Sequence, residues 1–362
     1  QEARLFEKKK QYERALQEYE RIAKQEGKEE ARQAQIVRIK LLLQLHRWIG
    51  LPTDSARLAS FLDREDPWFR HFRNQPKVWD KGRSEIAAIF FQGGMQALHF
   101  AKKLGDPSAY IAAGSFFSHY LKRFPQGPHR VSAAVGRGIA YTIRGDCPRA
   151  LKWFHRSLQW YRQAPKSTSR SLPLHRQALR GTLGCRILGW LEKLNEVREK
   201  NRQRKKGSKA ISKPNFAPVS LLARQVLQQT GIEGASDIFH HTQRLQRAGS
   251  FPESSQLLLT VIDEAKHPKI VGIAKTKLLH LFGSTKRWEP LLEPLRKRLE
   301  QIPASQRDVF WKRVQSLVVI HSMRQAQVLL HQGKIKLALK RLLNAYHANS
   351  QNESSFMMLY RS

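Results

Sequence analysis

Three observations predict an all-α chain, an α-solenoid of antiparallel helix pairs with irregular repeats. Apolar residues recur at helical spacing along most of the sequence. No run of useful length alternates with strand period. The stretch Phe116–Leu158 holds two amphipathic segments joined by Gly145-Asp146, and neither can bury its apolar side without neighbours stacked on it.

In chain order, Ala3 and Phe6, then Tyr12, Ala15, Tyr19 and Ile22, put one stripe on each of two helices, and Gly27 ends that pair. A helix from Glu29 to Trp48 carries Ile36, Ile39, Leu42 and Leu43. Gly50-Leu51-Pro52 breaks it, and Thr53 or Asp54 is expected to cap the next helix through Leu62. The aromatic segment Asp66–Pro76 is expected to be irregular and to plug a seam. Helices follow over Ser84–Leu104 and Pro107–Phe124. In the central unit Ser132, Ala133, Ala134, Gly136, Gly138 and Ala140 let helices approach closely, and Gly145 supplies the left-handed residue of a reversal. Ala150, Phe154 and Leu158 then share one face. A polar loop at Gln163–Leu172 precedes a helix from Pro173 to Lys200.

The tract 201–214 is basic, rich in Gly, Ser and Pro, and reads as a mobile linker between helical halves at 1–200 and 215–348, with a polar tail at 349–362. In the second half, helices are expected at Val219–Thr230, Gly234–Ala248, Ile270–Leu281 and Trp288–Leu299. Turn-plus-helix patterns occur at Gly249–Val261 and Gly333–Ala345.

The central unit resembles the tetratricopeptide repeat family. Gly138 and Tyr141 stand at its small and aromatic first-helix positions, Gly145-Asp146 at its turn, and Ala150, Phe154 and Ser157 at the small–large–small series of its second helix. Arg137 stands where the family usually has Leu. Tyr120–Pro125 is similar to the aromatic-Pro ending of bacterial envelope repeats, such as those of the barrel-assembly lipoprotein and the Tol–Pal coordinator. The resemblance implies a concave groove that takes a peptide or helix of a protein partner. Its lining positions fall on Ser132, Val135, Ile139 and Thr142.

Charge narrows the partners. The 362 residues hold 65 Lys+Arg against 29 Asp+Glu, a net charge of +36. That excess points to an anionic polymer, a membrane surface or nucleic acid. Between Glu85 and Glu192 the only acids are Asp106 and Asp146 among sixteen Lys and Arg. The expected basic surface comprises Lys102, Lys103, Lys122, Arg123, Arg130, Arg144, Arg149, Lys152, Arg156, Arg202, Arg204, Lys205 and Lys206. Trp153, Phe154 and Trp160 lie among these residues at positions suited to base stacking or to the core.

No catalytic, cofactor or metal constellation stands out, and no small-molecule substrate is predicted. His240-His241 reads as a surface pair, and no H-E-x-x-H, Cys/His or G-x-S-x-G pattern occurs. Gly136-Arg137-Gly138 lacks the third glycine of a dinucleotide loop, because that position is Tyr141, so it reads as helix packing. Cys147 and Cys185 form a disulfide only if the fold brings them together. Gln1 in place of Met fits removal of a signal peptide or other trimming.

Three function classes fit these features. The first is a non-enzymatic scaffold or adaptor that binds a protein partner, periplasmic or otherwise exported, with the cytoplasm as the alternative. The others are an RNA- or ribosome-associated repeat protein and the solenoid portion of a larger cell-wall lytic enzyme.

Overall fold

The computed structural model describes residues 2–163, 172–204, 210–284 and 289–349. Among them every regular element is helical and no strand occurs, so the chain is all-α. It divides into two compact units, Gln1–Gly189 and Trp190–Ser362.

In the first unit α1 (Glu2–Lys8) packs on α2 (Tyr12–Ala23), burying Ala3, Ala15 and Tyr19. Helix α3 (Glu29–Gln44) stops short of Trp48 because His46 adopts a left-handed φ of 56° and turns the chain. The turn seats Trp48 in the core and sets the His46 ring 3.9 Å from that of Phe100. Helix α4 (Leu51–Ser60) starts earlier than its expected caps. Asp54 instead lies inside it, buried, accepting hydrogen bonds from Gln35 Nε2 and Arg38 Nε, each at 2.9 Å.

The segment expected to be irregular holds a short helix, α5 (Pro67–Phe72), capped by Asp66, which accepts from the Trp68 amide at 2.8 Å. Trp68 is fully buried and donates its indole N–H to Glu29 at 2.8 Å. Beneath it Arg32 is also fully buried, held by Glu29 and by Glu85 at 2.7 Å, with its guanidinium 5.5 Å from the Trp68 ring centre. A buried cation is tolerated only when paired in this way.

Helix α6 (Pro76–Leu104) starts well before Ser84 and packs on α7 (Pro107–Arg123), which packs on α8 (Arg130–Ile143). Gly145, at φ 78°, makes the predicted reversal into α9 (Cys147–Gln163), and Asp146 accepts from the Arg149 amide at 3.1 Å. Phe154 of α9 fixes the spacing of three helices. A Cβ on Gly138 of α8 would stand 2.6 Å from its ring, and one on Gly181 of α10 (Leu172–Arg202) 2.3 Å. Close approach of this kind needs residues without side chains. Full burial of Phe154 contributes about 1.5–3 kcal/mol.

The unit boundary, between Gly189 and Trp190, falls inside α10 rather than in the basic tract. The described ends of that tract make specific contacts, while residues 205–209 lie outside the described residues. The Asn201 side chain donates to Ile211 O at 3.0 Å and accepts from Ile211 N at 2.8 Å. Trp190 donates to Pro214 O at 3.0 Å and meets the Phe216 ring edge-on.

The second unit continues with α11 (Ala217–Thr230), α12 (Ile232–Arg247), α13 (Phe251–Glu264), α14 (Pro268–Ser284) and α15 (Glu289–Gln301), then α16 (Val309–His331) and α17 (Ile335–Asn349). Here α13 touches both α11 and α15, while α12 touches α14, so alternate helices lie side by side. Leu258, Leu278, Leu295, Leu299 and Val314 form its core. The expected surface pair is split: His240 is exposed, whereas His241 is buried with no partner for Nδ1. Burial, aided by Arg244, lowers the His241 pKa to about 4. Residues 164–171 of the predicted polar loop, Trp288 and tail residues 350–362 lie outside the described residues.

Candidate anion-binding face

The acid-poor interval runs from α6 into α10, and in α8 and α9 its arginines and aromatic rings alternate. Arg137, one helical turn before Tyr141, reaches across to Trp153 of α9, its guanidinium carbon 4.2 Å from that ring centre and 5.7 Å from that of Tyr141. Arg156, three residues beyond Trp153, lies 5.3 Å from the same indole. Arg149 lies 6.0 Å from Tyr141, and Arg130 covers Trp160 at 5.5 Å. The order Arg149, Tyr141, Arg137, Trp153, Arg156 is thus one connected row, with Arg130 and Trp160 as a second contact between the same helices.

The electrostatics follow from what is missing. Among the described residues Arg130, Arg137 and Arg156 have no carboxylate partner, and Arg149 has only Asp146 at 3.4 Å. A guanidinium stacked on a ring uses its π face and keeps its in-plane N–H edge for oxyanions. Arg137 donates only a long 3.4 Å hydrogen bond to the Tyr141 hydroxyl, and its buried Nε–H has no acceptor. Positive charge accumulates nearby at the end of α7. His119, stacked on Phe90, has its pKa lowered by burial and then by Arg123, Lys122 and Arg137.

The expected basic residues therefore separate. Arg149 and Arg156 join the row, Arg130 makes the second contact, and exposed Arg144 and Lys152 lie at the end of α8 and on α9. Arg123 is held by Asp63 at 2.5 Å. Lys102 and Lys103 lie at the end of α6, where desolvation, followed by Arg180, lowers the Lys102 pKa. Arg202 and Arg204 are exposed in the second unit, Arg202 at 3.5 Å from Glu199. Lys205 and Lys206 lie outside the described residues.

The residues expected to line a groove are less open. Val135 is 1% exposed, and Thr142 Oγ1 is 3.5 Å from Cys185 Sγ of α10. Ser132 and Ile139 are half-buried. The α8 face at Thr142 is thus met by the chain's own α10. Cys147 and Cys185 are buried thiols, not joined in a disulfide. Phe154 belongs to the core, whereas Trp153 and Trp160 are half-buried beside arginines. Arg137 was missing from the expected basic set. Its spacing of four to Tyr141, together with Trp153–Arg156, was the available signal.

A larger cleft, of about 630 Å³, lies in the second unit between α11, α13 and α15. Leu221 and Leu259 give it apolar walls, but its charges satisfy one another: Arg298 pairs with Asp263 at 2.6 Å and Arg224 with Glu264 at 2.8 Å. Among the described residues no group of three or more His, Cys, Asp or Glu is placed to hold a metal ion, and no helix is long and apolar enough to cross a membrane. No protein-family model matches this chain, and no curated protein matches it in sequence.

Proposed function

We propose that this protein is a non-enzymatic helical-repeat scaffold whose α8–α9 face docks a polyanionic partner. The observation that carries this reading is the row Arg149–Tyr141–Arg137–Trp153–Arg156, in which rings hold Arg137 and Arg156 and the one carboxylate contact is Arg149 to Asp146 at 3.4 Å. Their side chains are ordered before the partner arrives, so less conformational entropy is lost on binding. The chain's net charge of +36 attracts such a partner over distance, and the row gives it a place to settle.

The test is a salt series with inorganic polyphosphate, comparing the wild type with a triple variant, Arg130→Gln, Arg137→Gln, Arg156→Gln. Loss of three contacts is expected to flatten the slope of log K against log salt by about 2. A triple variant that binds as tightly, with the same salt slope, removes the reading.

A further inference from the structure

A pocket of about 220 Å³ opens between α7 and α8 and shares a residue with the arginine row. One stripe of α7, Ile111, Gly114, Ser115 and Ser118, forms a wall, and Tyr141 of α8 and Arg144, which follows its last turn, face it. Gly114 leaves that wall bare: a Cβ there would only reach van der Waals contact with Ala140, at 3.7 Å. The Ser118 hydroxyl donates to Gly114 O at 2.6 Å, and Ser115 shares a 2.9 Å hydrogen bond with Ser55. Each oxygen keeps acceptor capacity. Ile111 is 43% exposed and supplies an apolar lip, while Arg144 is exposed. No carboxylate lines the recess.

Tyr141 joins the pocket to the row, because its ring also lies under Arg137 and Arg149. A small recess with one aromatic side and hydroxyl acceptors therefore opens beside a track of guanidinium edges. The recess is smaller than the sites that hold drug-sized ligands and has room for one ring system. A chain that fills both features needs regularly spaced anions and a planar polar ring on each unit.

We propose that this face binds single-stranded nucleic acid, with one base seated between Tyr141 and the α7 wall and the phosphates following Arg144, Arg149, Arg137 and Arg156. The proposal rests on the polyanion reading and adds the ligand class. An acidic peptide supplies carboxylates, but its charged units carry no ring. A membrane presents its phosphates on a surface and sends no ring inward. A duplex keeps its bases paired and stacked, so it reaches the arginines and not the pocket.

The experiment measures fluorescence anisotropy with a single-stranded mixed-sequence 12-mer, its duplex, an abasic 12-mer, polyphosphate, polyglutamate and anionic vesicles at one salt concentration. The single strand is expected to bind at least tenfold tighter than the abasic strand or the duplex. Gly114→Leu, which fills the recess, is expected to abolish that tenfold preference and leave polyphosphate binding unchanged. Arg144→Gln, at an exposed position, is expected to weaken single-strand and abasic binding together by two- to fivefold. Ultraviolet crosslinking of the wild type is expected to label the peptide bearing Tyr141, a readout independent of variant folding.

Equal binding of single-stranded, abasic and polyphosphate chains overturns the ligand class while the polyanion reading stands. Binding of polyglutamate or vesicles without the single strand does the same. Failure of every probe to bind removes both. A crosslink that maps away from α7 and α8 overturns the base pocket.

Discussion

Arginines near the start of the chain and arginines of α8 and α9 are held by opposite means. Arg32, Arg38 and Arg47 are each clamped by carboxylates from other turns or helices: Glu29 and Glu85, Glu20 and Asp54, and Glu13 respectively. Their charge is neutralised by neighbours within the fold, at the surface for Arg47 and in the core for Arg32, which joins three segments and is itself fully buried. Arg130, Arg137 and Arg156 lean on indole and phenol rings, which orient a guanidinium without neutralising it. The same residue type therefore serves cohesion in one region and display in the other. What decides between them is the local supply of acids, which ends at Glu85 and resumes at Glu192 apart from Asp106 and Asp146.

The sharpest way to break this contrast is to strip a carboxylate from the first set. Glu29→Ala leaves a buried cation half-paired and the Trp68 indole without its acceptor. It is expected to lower unfolding stability by about 3–5 kcal/mol in urea titration. A loss below about 1 kcal/mol shows that the acid-held arginines are no more structural than the ring-held ones.

A buried imidazole is the next case, and His241, whose Nδ1 has no hydrogen-bond partner, tests it with pH. Its folded pKa of about 4 lies below the ordinary 6.5, so the unfolded chain binds the proton first. Stability is expected to fall as pH drops from about 6.5 to about 4, by up to about 3 kcal/mol. Comparison with His241→Leu isolates that slope; an unchanged slope in the variant assigns it to other groups.

Packing beneath the ring-held row is tested by Gly181→Ala, whose Cβ meets Phe154. A loss of about 1–3 kcal/mol is expected in thermal unfolding. Smallest of all, Arg137→Gln is expected to cost no more than about 1 kcal/mol of stability while weakening polyphosphate binding several-fold. A larger stability loss than that of Glu29→Ala would invert the comparison.

The helices could largely be read from the sequence because their apolar residues repeat at helical spacing, and Gly145 announced its own turn. Helix α5 escaped because six residues are too few to show a period, so Asp66 capping a proline-started turn was the only sign. The early start of α6 was hidden for a similar reason. Residues 76–85 are mostly polar, and the burial of Gly82 under Trp68 leaves no apolar mark. The tract after α10 was read by composition alone, and the Asn201 side chain meets the Ile211 backbone at its described ends. Composition cannot register such a contact. At the candidate face the charges were visible in one dimension, but their sorting was not. That Arg123 finds Asp63 and Arg137 finds Trp153 depends on which helices become neighbours.

Phe154 sits between two positions that carry no side chain at all, on helices before and after its own. The three residues therefore form a unit of inheritance. Any methyl group gained at Gly138 or Gly181 has to be matched by a smaller residue at 154, and Gly181→Ala is expected to be rescued by Phe154→Leu, although Phe154→Leu alone leaves a void. Since Trp153 is the neighbouring residue on the same helix, drift in this buried trio would also shift the outward row, so a hidden glycine limits how far the exposed chemistry can change.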